Sequence, residues 1–293
     1  MQETVGMLTE IEEFMDQKAR MKLLLLVIVC CALLMCAQIV ADMAFTMVIM
    51  ANMDISGLSD AQVEELLAEK LAQNGNGIML LAYTLTLLGL LLWAKKAKTP
   101  FAVHTGLNLK TTKPIGVLAF LAGVIANIWF GLMVNLISWP ESWMEEYDAA
   151  SSAITSGNIW LEVIAVVLMA PIIEEILFRG MVYRYLSLAL PAGAAVLFQG
   201  LLFGGMHGTM IWIVYASVMG CVLGYVRKRT GSLHATILMH IGFNGGSYLF
   251  AELLKWWGES SASIVFSLVA SGVLFLLMLY GIEYRMESLT EEK

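Results

Sequence analysis

Charge is scarce in this chain. Only 14% of its 293 residues are Asp, Glu, Lys or Arg, while 59% are hydrophobic and mean hydropathy is +0.77. A soluble globule carries about 25% charged residues, so the composition excludes one and implies an integral membrane protein. A basic surplus is missing as well. The net charge is −7, the pI is near 5.2, and the 17 Lys and Arg are scattered in small groups, which leaves no surface for a phosphate backbone and excludes nucleic-acid binding. Cysteine is sparse: Cys30, Cys31, Cys36 and Cys221 lie in apolar runs without C-x-x-C spacing, so neither a disulfide framework nor a thiolate zinc site is indicated. No repeat of 20–50 residues and no low-complexity tract is present, which removes solenoids and disordered linkers.

What is abundant is long apolar sequence. Measured against the ~20 residues that cross a bilayer core, hydropathy marks eight helices at about 23–50, 78–94, 115–138, 159–183, 193–207, 209–226, 233–254 and 264–282. The expected fold is all-α and polytopic. The run from Leu23 is too long for the core of a signal peptide and no small-residue cleavage pattern follows it, so it reads as a retained span. Cytoplasmic loops carry the Lys/Arg excess. With the N-terminus inside, fourteen of the 17 basic residues fall on the inner side, Lys70 and Lys255 fall outside, and Arg179 lies within a span. Both termini are therefore expected in the cytoplasm, with residues 51–77 and 139–158 as acidic outer loops. The domain reading is an amphipathic N-terminal segment (1–22), one transmembrane domain (23–282) and a cytoplasmic tail (283–293). Between Ala192 and Val226 there are too few residues for two full spans and a turn, so at least one helix there must be short.

Ionisable groups inside spans cost several kcal/mol, about 2.5–3.5 at a helix centre on insertion scales, so each needs a reason. In the fourth span, Glu175 and Arg179 are four apart and share a face, whereas Glu174 points about 100° away. Near the end of the fifth, Phe203 and His207 are four apart beside Gly200, Gly204 and Gly208, a face on which helices approach closely. The seventh carries His240 and Asn244, again four apart. Taken singly, these are explained by a structural ion pair, a polar clamp and interhelical glue. Three helices each bringing a polar pair are harder to assign to packing. Together they hold two carboxylates, two imidazoles, an amide and a guanidinium, the inventory for activating a water and holding an oxyanion. Glu174 is the candidate to take the proton, one imidazole to orient the water or protonate a leaving amine, His240 and Asn244 to face the oxyanion, and Arg179 to hold Glu175. Glu174, His207 and His240 also match a His₂Glu metal set, although H-E-x-x-H spacing is absent; a divalent metal such as zinc, or none, both remain open. Gln38 and Asp42 read as facing the bundle interior or snorkelling, His104 as solvated in a lysine-rich loop, and His234 as interfacial.

These residues resemble the CPBP family of intramembrane proteases (CaaX proteases and bacteriocin-processing enzymes, also called Abi). Its pattern is E-E-x-x-x-R, then F-x-x-x-H, then H-x-x-x-N, and the chain has Glu174-Glu175 with Arg179, Phe203 with His207, and His240 with Asn244 in that order. The resemblance covers about residues 158–250. It implies an endopeptidase whose site lies in the membrane and opens to the cytoplasm, with Glu174 as general base working with His207, His240 and Asn244 on the oxyanion side, and Glu175 and Arg179 in support. The family has been described both as metal-dependent and as metal-independent. The leading expectation is thus a multi-pass peptidase of a bacterial cytoplasmic membrane acting on a peptide or membrane-protein substrate within the lipid bilayer. A non-catalytic membrane immunity or scaffold protein that binds a peptide or partner comes second, and a proton-coupled transporter using Glu174 and Glu175 third.

Overall fold

Backbone amides in hydrocarbon have no water to bond, so an apolar chain satisfies them inside helices. The computed structural model describes residues 17–97, 100–155, 157–257 and 261–291, and among them no strand occurs. The elements are α1 (Gln17–Asn52), α2 (Asp60–Gln73), α3 (Gly75–Lys96), α4 (Phe101–Thr105), α5 (Lys113–Leu136), α6 (Glu141–Thr155), α7 (residues 159–189), α8 (Ala192–Gly205), α9 (Met210–Thr230), α10 (Leu233–Trp257) and α11 (Ser261–Glu291).

A helix stands over each of the eight apolar stretches. Among the described residues, α1, α3, α5, α9 and α11 are long and apolar enough to cross a membrane by length and composition. The stretches expected as acidic outer loops contain helices of their own, α2 and α6, with no buried residue in either. Their polarity hid a local start signal: at the head of α2, Gln62 Oε1 accepts from the Ser59 amide at 3.0 Å, the reach-back of a capping box. Of the expected N-terminal surface helix, residues 1–16 lie outside the described residues and residues 17–22 belong to α1. Residues 283–291, expected as tail, continue α11.

The outward faces are apolar, with Leu25, Ile28, Met47, Leu92, Leu276 and Tyr280 all more than half exposed, as a lipid-facing surface requires. Inside, small residues bring helices together. A Cβ on Gly200 would meet Cys221 Sγ at 2.5 Å and one on Gly204 would meet the Ile213 carbonyl at 2.6 Å, so α8 and α9 lie backbone to backbone. Gly242 meets the Phe120 carbonyl and Gly123 the Met239 carbonyl in the same manner, which seats α10, the carrier of His240, on α5. Gly208 does not belong to the packing face expected of it. Nothing lies near its would-be Cβ and its φ is +75°; it turns the chain between α8 and α9. With 14 residues, α8 is ~21 Å long, short of the ~30 Å core, which meets the expectation of one shortened helix.

Candidate active site

The site is built on an irregularity of α7 that one proline explains. Residues 159–189 form one continuous helical run, but Val163–Met169 and Ile176–Val182 are wound as π-helix on either side of Ala170–Glu175. The Ala170 amide donates to the Ala165 carbonyl, five residues back. The next amide in that register, at position 171, would have served the Val166 carbonyl, but Pro171 has none. An orphaned carbonyl in an apolar bundle needs a donor, and Asn244 of α10 provides it, Nδ2 to Val166 O at 2.7 Å. The proline that loosens α7 thereby fixes its register against α10. Single-turn π segments recur at functional sites, and here they bracket the two glutamates.

Glu175 and Arg179 are fully buried. Arg179 Nη1 donates to Glu175 Oε1 at 2.7 Å, and Nη2 donates to the Gly220 carbonyl at 3.0 Å. Gln199 Nε2 reaches the same carbonyl at 2.7 Å. The guanidinium lies 4.4 Å from the centroid of the Phe203 ring, a cation–π contact in a desolvated place. His240 Nδ1 stands 3.0 Å from Glu175 Oε1. A carboxylate oxygen paired with arginine only accepts, so Nδ1 carries the hydrogen and Nε2 of neutral His240 is left with its lone pair.

Glu174 is held differently. Its Oε1 accepts from the Tyr83 hydroxyl of α3, and its Oε2 lies 3.8 Å from His240 Nε2, a separation that a single atom of substrate or water can bridge. His207 sits in the turn after α8, partly buried. Its Nδ1 is 2.8 Å from the Phe203 carbonyl, which at the helix end also accepts from the Met206 amide at 3.2 Å. Because a carbonyl accepts, Nδ1 is the protonated nitrogen and Nε2 faces away as an acceptor. Phe203 touches both imidazoles edge-on, with ring centroids 4.7 Å from His207 and 5.7 Å from His240, and Glu174 and His240 lie within electrostatic reach of His207. Glu174, Glu175, Arg179, His207 and His240 therefore meet around Phe203. Asn244 is one turn along α10, committed through one amide hydrogen to Val166 and keeping the other.

Among the described residues no group of three or more His, Cys, Asp and Glu side chains forms a set that could hold a metal ion. His207 Nδ1 is taken by a carbonyl, and Glu174 Oε1 by a phenol. His207 Nε2, His240 Nε2 and Glu174 Oε2 keep lone pairs, and the carbonyl and carboxylate beside the two Nδ1 atoms are the kind of partner that metal-bound histidines use; the donor types suit a His₂Glu centre, while their present placement does not form one.

Several participants were not singled out in the sequence. Tyr83 and Gln199 are the clearest; Gln199 is a polar residue in an apolar run and so carried a signal, whereas a tyrosine in a span carries none. Glu162, buried near the start of α7, accepts from Tyr248 at 2.7 Å and ties α7 to α10. Elsewhere His104 is not a solvated loop residue: it lies in α4 with Nε2 3.1 Å from the Tyr185 hydroxyl, because α4 folds back under the end of α7. His234, at the start of α10, stands 3.2 Å from the Leu109 carbonyl. Gln38 and Asp42 do not point inward; they satisfy each other at 3.1 Å on the exposed face of α1.

Residues 156–246 match the family model described as Type II CAAX prenyl endopeptidase Rce1-like, the CPBP family that the three motifs resemble. No curated protein and no solved structure matches the chain.

Proposed function

We propose that this chain is an intramembrane endopeptidase in which Glu174 activates a water molecule for attack on a peptide carbonyl. The observation that carries the reading is the unequal treatment of two adjacent buried carboxylates. Glu175 is neutralised by Arg179, while Glu174 turns an oxygen toward His240 beside the acceptor nitrogen of His207. A water between Glu174 Oε2 and His207 Nε2 has two acceptors for its hydrogens and its own lone pair free for the carbonyl carbon. Glu174 takes the proton as the new C–O bond forms. The resulting oxyanion faces His240 and the second amide hydrogen of Asn244. Since Glu175 fixes the hydrogen on Nδ1, His240 donates to the oxyanion through Nε2 only as an imidazolium. Glu174, directly or by way of His207 Nε2, then returns that proton to the leaving amine.

The printed description of the matching family names a prenyl endopeptidase, so a prenylated peptide or protein C-terminus is the substrate class proposed first. Eight crossings with both termini in the cytoplasm are proposed with it, on the strength of the basic-residue asymmetry. Glu174 stands midway along α7, ~22 Å from residue 159 at 1.5 Å per residue; in a core of ~30 Å entered at residue 159 that depth is nearer the cytoplasmic side, within reach of a substrate entering from there. In this orientation the membrane is a bacterial cytoplasmic membrane or its equivalent.

The test is hydrolysis by the purified chain in nanodiscs, with prenylated and unprenylated peptides followed by mass spectrometry. Glu174→Gln should lower the rate by about 10²-fold or more, the usual worth of a general base, with the protein still purifying as a folded species. Cleavage by Glu174→Gln at the wild-type rate would remove Glu174 from the reaction.

A further inference from the structure

A second charged feature lies away from the carboxylates. At the end of the molecule where α3, α7 and α9 stop and α5 begins, an open cavity of about 260 Å³ is lined by Arg184 and Arg227 together with His104, Asn108 and Leu109. Arg184 donates to the His104 carbonyl, and Arg227 donates to the Gly231 carbonyl and, through Nε, to the Arg179 carbonyl at 3.4 Å. Backbone oxygens thus orient both guanidiniums. Arg227 packs so closely over Gly106, whose φ is +84°, that a Cβ there would overlap it.

Among the described residues, neither arginine stands in an ion pair. Arg229, two positions on, takes Glu283, and Arg179 takes Glu175. The hydrogen bonds of Arg184 and Arg227 go to carbonyls, and Arg227 lies within electrostatic reach of Tyr183, Glu175 and Arg184. Burial, and then the nearby Arg184, lowers the pKa of His104 below the ordinary imidazole value, so at neutral pH the cavity's charge comes from the two guanidiniums. Forked donors in such an arrangement match the oxygens of a phosphate group.

Two surroundings say what bears that phosphate. Lys95, Lys96 and Lys113 at the adjoining helix ends and Lys110 in the connection between α4 and α5 are exposed, forming the basic rim that anionic lipid attracts. Val103 and Leu109 at the cavity's edge are 50% and 51% exposed, and Leu188, one turn beyond Arg184, is 46% exposed. A free phosphate has no use for apolar side chains at its mouth; acyl chains do. We infer that the cavity between α4, α7 and α9 is a headgroup site for an acidic phospholipid, whose phosphodiester is clasped by Arg184 and Arg227. The choline ammonium of a zwitterionic lipid would bring a third cation to the same cavity and is disfavoured. The inference goes beyond the peptidase reading and does not depend on it.

Native mass spectrometry of the full chain in detergent, titrated separately with phosphatidylglycerol and phosphatidylcholine, tests it. The acidic lipid should bind about tenfold more tightly or better, and Arg184→Gln and Arg227→Gln should each weaken it about fivefold, the worth of one basic residue at a membrane surface. Lys96→Gln with Lys110→Gln, on the rim only, should cost less than either. Equal retention of the two lipids would overturn the proposal, as would unchanged phosphatidylglycerol binding by Arg184→Gln. Displacement of the lipid by millimolar inorganic phosphate would overturn it too, by assigning the cavity to the free anion. Arg184 is exposed, so its removal strands no buried group, and that variant decides the matter even if Arg227→Gln does not fold.

Discussion

Glu174 and Glu175 are the same residue type at adjacent positions, and their surroundings divide two jobs between them. Glu175 has a counter-charge: Arg179 and His240 both meet its Oε1, Arg179 and Gln199 share the Gly220 carbonyl, and Oε2 is buried without a hydrogen bond of its own. Glu174 has no arginine on it, only a phenol on one oxygen and an imidazole nitrogen 3.8 Å from the other. A helix turns about 100° per residue, so consecutive carboxylates necessarily face different neighbours, and the bundle has used that to lock one and leave the other available. The lesson is that an acidic pair in a membrane is two environments, and the one without an arginine counter-charge is the one left to exchange a proton.

The comparison breaks most severely at Arg179. Arg179→Ala leaves Glu175 as a buried charge with no counter-ion and should cost about 3–5 kcal/mol, read as a sharply lower melting temperature and poor yield in detergent. Glu174→Ala should cost less, about 1–3 kcal/mol for the Tyr83 hydroxyl left without its acceptor, while removing hydrolysis. Arg179→Lys sharpens the contrast, because one ammonium cannot span Glu175 and the Gly220 carbonyl while lying flat on Phe203; it should recover only part of the lost stability. Equal melting temperatures for Arg179→Ala and Glu174→Ala would mean that the two carboxylates are not divided in this way.

A smaller effect is expected where α7 and α10 are joined. Asn244→Ala strands the Val166 carbonyl and should destabilise the protein by about 1–3 kcal/mol. Pro171→Ala restores an amide at the position that can serve that carbonyl, so Asn244→Ala should cost less in the Pro171→Ala background. The double-mutant cycle should show a coupling of about 0.5 kcal/mol or more. Additivity of the two changes would mean that Pro171 and Asn244 do not act on the same carbonyl.

Much of this site was legible because a membrane penalises charge. Glu174, Glu175, Arg179, His207, His240 and Asn244 stand out from apolar runs for that reason alone, and the spacing of four within each pair gives the shared faces. The same logic fails for groups that a membrane tolerates. Tyr83 is ordinary in a span, and only the packing of α3 against the middle of α7 brings its hydroxyl to Glu174. The π turns escaped notice because Pro171 signals a missing amide without saying which carbonyl rearranges or what replaces the donor. The polar segments at 60–73 and 141–155 read as loops because hydropathy reports burial, and neither helix has a buried residue. His104 was misplaced for the converse reason: lysines nearby suggested solvent, while the short α4 turns it toward Tyr185.

Tyr83 carries the smallest expected effect and the one most diagnostic of the open carboxylate. The ring is 9% exposed, and Phe occupies the same space, so Tyr83→Phe removes one hydrogen bond to Glu174 and leaves packing in place. That bond fixes the rotation of the carboxylate and thereby keeps Oε2 turned to His240. Without it the group rotates among orientations of which only some present an oxygen to the water. Losing one hydrogen bond to a charged group should cost about 1.5 kcal/mol of stability, and because fewer orientations of the carboxylate then present an oxygen to the water, kcat should fall about tenfold with KM little changed. A residue that merely packed would move the melting temperature and spare kcat. Should Tyr83→Phe lower stability while turnover is kept, the phenol would belong with the locked side of the pair, and the division between Glu174 and Glu175 would have to be redrawn.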